Sequence, residues 1–175
     1  MDPKERLPAE WPKLDAEDML QRLVGGGVDF VVIGGMALVL AGSARLTRDL
    51  DIVFAADHEN LDALGRVLTG LDSKLREIGE EIPFVADART LGNVQLLTLA
   101  TSSGWLDVHR QVDGMPAYEA LRRRADRMDL GDFSVLVSAP GDMIAMKTAS
   151  GRPQDLADIA EWEAIKRLRG QEKGD

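Results

Sequence analysis

The sequence predicts an α/β (α+β) fold: a mixed β-sheet flanked by helices, with further helices toward the C-terminal end. Three observations carry that prediction. Short β-branched and aromatic runs at 28–33, 50–54 and 133–137 alternate with stretches whose leucines recur at helical spacing, so strands and helices intermix along the chain. The first run is almost continuously apolar, as suits a strand buried on both faces. Pro140 and Pro153 stand where the first turn of a helix accepts proline.

Taken in order, residues 1–14 read as an irregular lead-in and 15–170 as a single domain, long enough to bury a proper core. Asp15 can cap a helix running to about Val24, with Met19, Leu20, Leu23 and Val24 as its apolar stripe and Gly25 as its stop. After the first strand, residues 36–41 are apolar all round, as in a short buried helix ended by Gly42. A turn over 42–48 carries Arg45 and Arg48 and delivers the chain to the second strand at 50–54. Asp57 can cap a helix in which Leu61, Leu64, Leu68 and Leu71 follow helical spacing. The charged residues 72–81 can continue that helix, while 82–85 can be strand or loop. Residues 94–100 read as a strand, Ser102, Ser103 and Gly104 as a turn, and 105–109 as the hairpin partner. Pro116 can open a short helix through Leu121. The cluster Arg122, Arg123, Arg124 and Arg127 follows and reads as a solvated basic helix face. A strand at 133–137 and helices over about 140–149 and 153–168 complete the domain.

Composition narrows the chemistry. With no cysteine, disulfides, thiolate metal sites and cysteine nucleophiles are excluded, and two histidines, His58 and His109, leave little for zinc. Any metal is therefore expected to be oxygen-ligated, hence magnesium or manganese. A net charge of −9 is the reverse of the balance found in proteins that grip long nucleic acid, which leaves small ligands or a short nucleic-acid end. The opening MDPKERLPAEWPKLD has no signal-peptide apolar core, and the longest apolar run, 30–41, is too short to span a bilayer. A cytoplasmic location without membrane contact is expected.

The chemistry-bearing residues concentrate between 30 and 54. Asp49 and Asp51 alternate with Leu50 and Ile52, so on a strand both carboxylates share one face. Two carboxylates about 7 Å apart along a strand can hold one or two hard divalent cations. Gly34 and Gly35 fall where strand turns into helix; absent side chains there let a ligand approach the backbone, and free N–H groups favour phosphate. Asp107 and His109 share the face of 105–109 opposite Leu106 and Val108. If that strand lies beside the Asp49–Asp51 strand, three carboxylates converge on a metal; otherwise Asp107 caps a hairpin or pairs with Arg110. The acidic pair and the double glycine are each common alone, but their joint order, one short helix apart, points to phosphoryl or nucleotidyl transfer. Arg45 and Arg48 can hold a triphosphate or neutralise the carboxylates. Asp155 and Asp158 share a helix face, and both, like Lys147, also suit simple helix-end electrostatics. His109 reads as structural or as a hydrogen-bond partner of a neighbouring strand, and His58 as a surface residue.

The pattern GG-M-A-L, a short helix, then R-L-T-R-D-L-D-I resembles the first motif of the nucleotidyltransferase fold shared with DNA polymerase beta. It is more closely similar to minimal prokaryotic nucleotidyltransferases of the AbiEii toxin type. Met146-Lys147-Thr148-Ala149 and the run from Gly151 to Ile159 resemble that family's lysine–alanine and arginine-x-lysine-aspartate motifs. The resemblance covers about residues 28–160. It implies that Gly34 and Gly35 face a nucleoside triphosphate, that Asp49 and Asp51 hold magnesium or manganese, and that Asp107 is a third metal ligand or the base for the acceptor hydroxyl. Lys147 would reach the phosphates or orient the acidic site, with Arg152 and Asp155 completing the pocket. The chain departs from the wider superfamily at Gly35, where many members carry serine, and at Gln154, where lysine is usual.

The implied activity is metal-dependent transfer of a nucleoside monophosphate from a triphosphate to a hydroxyl acceptor: an RNA end, a protein or a small molecule. A toxin–antitoxin pair, with the antitoxin as partner, is the setting the resemblance implies. The alternative on the same fold is a catalytically inactive nucleotide- or protein-binding module, and a metal-dependent nuclease is a third reading.

Overall fold

The computed structural model describes residues 12–76 and 83–172. In chain order these form α1 (Ala16–Gly25), β1 (Phe30–Ile33), α2 (Gly34–Leu40), β2 (Asp49–Phe54), α3 (His58–Gly70), β3 (Lys74–Leu75) and α4 (Ala88–Gly92). Then follow β4 (Leu96–Thr101), β5 (Gly104–His109), α5 (Tyr118–Arg124), β6 (Asp126–Asp129), β7 (Ser134–Val137), α6 (Pro140–Ser150) and α7 (Asp155–Glu172). The strands make one mixed sheet in the order β3-β4-β5-β2-β1-β7-β6, flanked by helices. β2 runs parallel to β5 and β1 parallel to β7, while the other neighbours are antiparallel. The predicted α/β class is the fold found.

Sequence pattern explains each layer. β1 is buried at all four positions, as its apolar run requires of a central strand. In β2 and β5 the apolar members Leu50, Ile52, Leu106 and Val108 are fully buried, and their intervening polar residues turn to the opposite face. Asp15, Asp57 and Asp87 cap α1, α3 and α4, each side chain accepting the backbone N–H three residues on.

Several expectations change. The first strand begins at Phe30 and not at Val28, because the Val28 N–H returns to the Leu23 carbonyl of α1 and the Asp29 N–H is taken by the Asn60 side amide. Residues 72–76 do not continue the preceding helix. Asp72 adopts φ 52°, the N–H of Ser73 returns to the Leu68 carbonyl, and the chain reverses into the edge strand β3. The rest of the expected helix, 77–82, lies outside the described residues; 83–85 form no strand, and the short α4 follows. Arg127 is not on a helix face with Arg122–Arg124: Ala125 turns extended, and Arg127 lies in β6, paired with Leu136 of β7. An edge strand tolerates such charge because one side of it is never paired. The helices expected to open at Pro116 and Pro153 begin two residues later, at Tyr118 and Asp155. No helix among the described residues is long and apolar enough to cross a membrane.

Candidate active site

The parallel pairing of β2 with β5 decides the site. Its register sets Asp51 opposite Asp107 and Asp49 opposite Trp105. Since Leu50, Ile52, Leu106 and Val108 share one face, Asp49, Asp51, Asp107 and His109 share the other. His109 Nε2 lies 2.9 Å from Asp51 Oδ1. One ligand atom each from Asp51, Asp107 and His109 falls within a mutual 4.8 Å, close enough to share a cation.

Gly34 and Gly35 serve these acids directly. Gly34 has φ +67°, and a Cβ there would lie 2.6 Å from Asp51 Oδ2. A Cβ on Gly35 would lie 2.9 Å from Thr47 Oγ1, which itself donates to the Asp49 carbonyl at 3.1 Å. The space vacated by both side chains is thus taken by Asp51 and Thr47.

Electrostatics on this wall is unbalanced toward negative charge. Burial, reinforced by the charge of Asp51, pushes the Asp107 carboxyl up to about 6, and the same two causes raise Asp49. Arg76 opposes this from the sheet edge: its Nη2 is 3.2 Å from Asp107 Oδ1, and its guanidinium stacks on Trp105 with 4.6 Å to the ring centroid. Even so, Asp107 Oδ1 is a buried oxygen with no hydrogen-bond partner. Hard carboxylate donors, mutual repulsion and an open lone pair suit a magnesium-type cation.

A second, basic wall comes from the other half of the chain. Lys147 on α6 puts its Nζ 3.3 Å from Asp155 and 3.0 Å from Asp158. Arg152, in the turn before α7, meets both Asp155 oxygens through Nε at 3.1 Å and Nη2 at 3.3 Å. Arg45 bonds to Asp158, and Ser43 donates to Glu161 at 2.7 Å, so the turn before β2 is tied to α7. Burial opposes ionisation of Asp155, but hydrogen bonds from Arg152, Ser150 and Lys147 prevail and hold its carboxyl down at about 2. Asp158 is lowered likewise, burial again being outweighed by Arg45 and Lys147.

The two walls face one cavity of about 330 Å³. Of the residues singled out from sequence, Gly34, Gly35, Arg45, Asp49, Asp51, Asp107, Lys147 and Arg152 line it. Asp155 does not; it is 1% exposed, behind two of the lining cations. Arg48 is exposed and outside the lining. Sequence reasoning missed Arg76, Thr47 and the part played by Asp158. The i, i+3 spacing from Asp155 was a signal for Asp158, but nothing in the composition of 72–81 marks Arg76.

A family model described as "Nucleotidyltransferase of unknown function" (DUF6036) matches residues 14–170. No curated protein sequence matches. Among solved structures, the chain is similar to the lincosamide antibiotic adenylyltransferase LnuA, lincomycin-bound (TM-score 0.59, 16% identity, covering 88% of this chain and 99% of that one). It is also similar to ANT(2")-Ia in complex with adenylyl-2"-tobramycin (TM-score 0.56, 15% identity, 90% and 88%). A third is an antigenic nucleotidyltransferase-like protein from Paracoccidioides brasiliensis (TM-score 0.51, 18% identity, 90% and 79%). At these identities the likeness is one of fold.

Proposed function

The chain belongs to the nucleotidyltransferase family of unknown function (DUF6036), and from that premise we propose that it moves a nucleoside monophosphate from a triphosphate to a hydroxyl acceptor. One observation carries the reading: an acidic wall and a basic wall face each other across a single cavity. A metal–triphosphate has the matching polarity.

Asp49, Asp51 and Asp107 would hold the magnesium or manganese ion, with His109 orienting Asp51 at 2.9 Å. The bound cation would supply neutralisation of phosphate charge. Arg45, Lys147 and Arg152 bind the phosphate oxygens from the opposite wall; three cations set against Asp155 and Asp158 leave positive charge in excess there. Asp155 and Asp158 act by positioning those cations. The acceptor oxygen attacks the α-phosphorus, the bond to the bridging oxygen breaks, and pyrophosphate leaves. Where Asp49 and Asp51 alone hold the ion, Asp107 instead takes the hydroxyl proton. Catalysis is then orientation and charge compensation, with no covalent intermediate.

A small-molecule hydroxyl is the acceptor we favour. The cavity is compact, the net charge is −9, and two fold neighbours carry lincomycin and adenylyl-tobramycin. The AbiEii-type resemblance supports a second setting, a toxin acting on an RNA end or protein and neutralised by an antitoxin.

The test is transfer of α-labelled triphosphate to lincomycin, tobramycin, RNA and a protein extract. We expect a labelled product with one acceptor class, and Asp51→Asn to lower its formation about 10²–10³-fold with the circular-dichroism spectrum unchanged. Undiminished transfer by folded Asp51→Asn removes the assignment. Triphosphate binding without pyrophosphate release would instead identify an inactive binding module.

A further inference from the structure

Arg76 enters the acidic wall from outside the motifs. Its backbone N–H bonds to the carbonyl of Thr98, and Thr98 on β4 stands opposite Asp107 on β5. The side chain therefore reaches across one strand, lies over Trp105 and ends 3.2 Å from Asp107, with 18% of its surface exposed. The contact is ionic without being a hydrogen bond: Arg76 Nη1 and Asp107 Oδ1 are both buried polar atoms lacking hydrogen-bond partners. Buried arginine–carboxylate pairs that serve stability alone normally close into aligned, two-point hydrogen bonds. Here the guanidinium is fixed by the indole, the charge is delivered, and the carboxylate's lone pairs stay open. Arg45, Lys147 and Arg152 of the basic wall form their ion pairs with Asp155 and Asp158, whereas Arg76 forms its pair with Asp107.

We propose that Arg76, braced on Trp105, is a built-in counter-cation of the acidic wall: a positioning residue that holds the Asp107 carboxylate in place and sets how tightly the wall takes a divalent cation. This rests on the reading that the wall binds such a cation. A fixed positive charge beside the ligand set repels an incoming ion and so weakens its affinity. The same charge keeps three neighbouring carboxylates together when no ion is bound. Binding and turnover should therefore respond in opposite directions when it is removed.

The experiment is Mn²⁺ binding to the full-length protein at pH 8, followed by electron paramagnetic resonance of the free ion, for wild type, Arg76→Met and Arg76→Lys. Arg76→Met keeps an apolar stem against Trp105 and removes the charge; it should bind Mn²⁺ about tenfold more tightly. Arg76→Lys, keeping the charge, should stay within about twofold of wild type. In turnover, Arg76→Met should lower kcat about tenfold with little change in KM for the triphosphate, since Asp107 loses its brace. Should Arg76→Met fail to fold, Arg76→Gln makes the same comparison. Mn²⁺ affinity in the folded, charge-removed variant that is equal to or weaker than wild type overturns the proposal and leaves the transferase reading standing. Absence of Mn²⁺ binding by wild type overturns both.

Discussion

Asp155 is a carboxylate that almost no water reaches, yet two cations keep it ionised. Its carboxyl is held at about 2, below the ordinary value of 3.8, so the folded state binds its proton less readily than the unfolded chain does. The stabilisation, about 2 kcal/mol, is therefore complete above about pH 4 and is lost as pH falls toward 2. Asp155→Asn should cost about 2–3 kcal/mol in urea denaturation at pH 7, and the variant and wild-type curves should converge as pH falls through that window. Parallel curves at every pH would show that the charge contributes nothing. At this scale the sequence was legible where alternation sets direction: Asp49 and Asp51 needed only strand character to share a face, as did Asp107 and His109 on their own strand. Asp155 was singled out for a pocket it does not line, because spacing along a helix says which residues share a face but not what lies above them. Arg76 was invisible, since its role depends on a strand of two residues in a stretch with helix-like composition.

Among the elements, α3 is joined to the sheet by one polar side chain. Asn60, 5% exposed in the first turn of α3, accepts from the Asp29 N–H at 2.7 Å and donates to the carbonyls of Asp29 at 2.9 Å and Ala55 at 2.7 Å. It closes the start of β1 and the end of β2 onto the helix. Asn60→Ala leaves a buried N–H unpaired and should cost about 2–4 kcal/mol, measured by thermal or urea unfolding. A loss below 0.5 kcal/mol, the ordinary range of a surface substitution, would mean water replaces the amide in full. The periodic elements α1, α3 and β5 and the continuously apolar β1 were readable because burial and local propensity agree in them. The stretch from 72 to 93 was not, since its charge pattern fits a helix while the left-handed turn at Asp72 reverses the chain. The break at Ala125 escaped for a related reason: three arginines, all good helix formers, run right up to the residue that leaves the helix.

For the molecule as a whole, charge and topology act together. The excess of acidic over basic residues makes the surface repel polyanions, and the lining cations are engaged by carboxylates. We expect no stable complex with single-stranded RNA in a gel-shift assay at 0.15 M salt; a retarded, salt-resistant band would move the acceptor assignment from small molecules to RNA. The place of β5 beside β2 in the strand order could not be read from composition, because these parallel neighbours are far apart in sequence and register depends on how the intervening chain returns. That order nevertheless fixes which acids meet.

The ties from Ser43 to Glu161 and from Arg45 to Asp158 span more than a hundred residues of chain. During synthesis the acidic strands can therefore pair before Asp158 and Glu161, the carboxylates that hold the Arg45 turn, have been translated. A ribosome-bound chain lacking α7 would carry Arg45, Lys147 and Arg152 without the carboxylates that orient them, so the basic wall takes its final arrangement only after that helix emerges and docks.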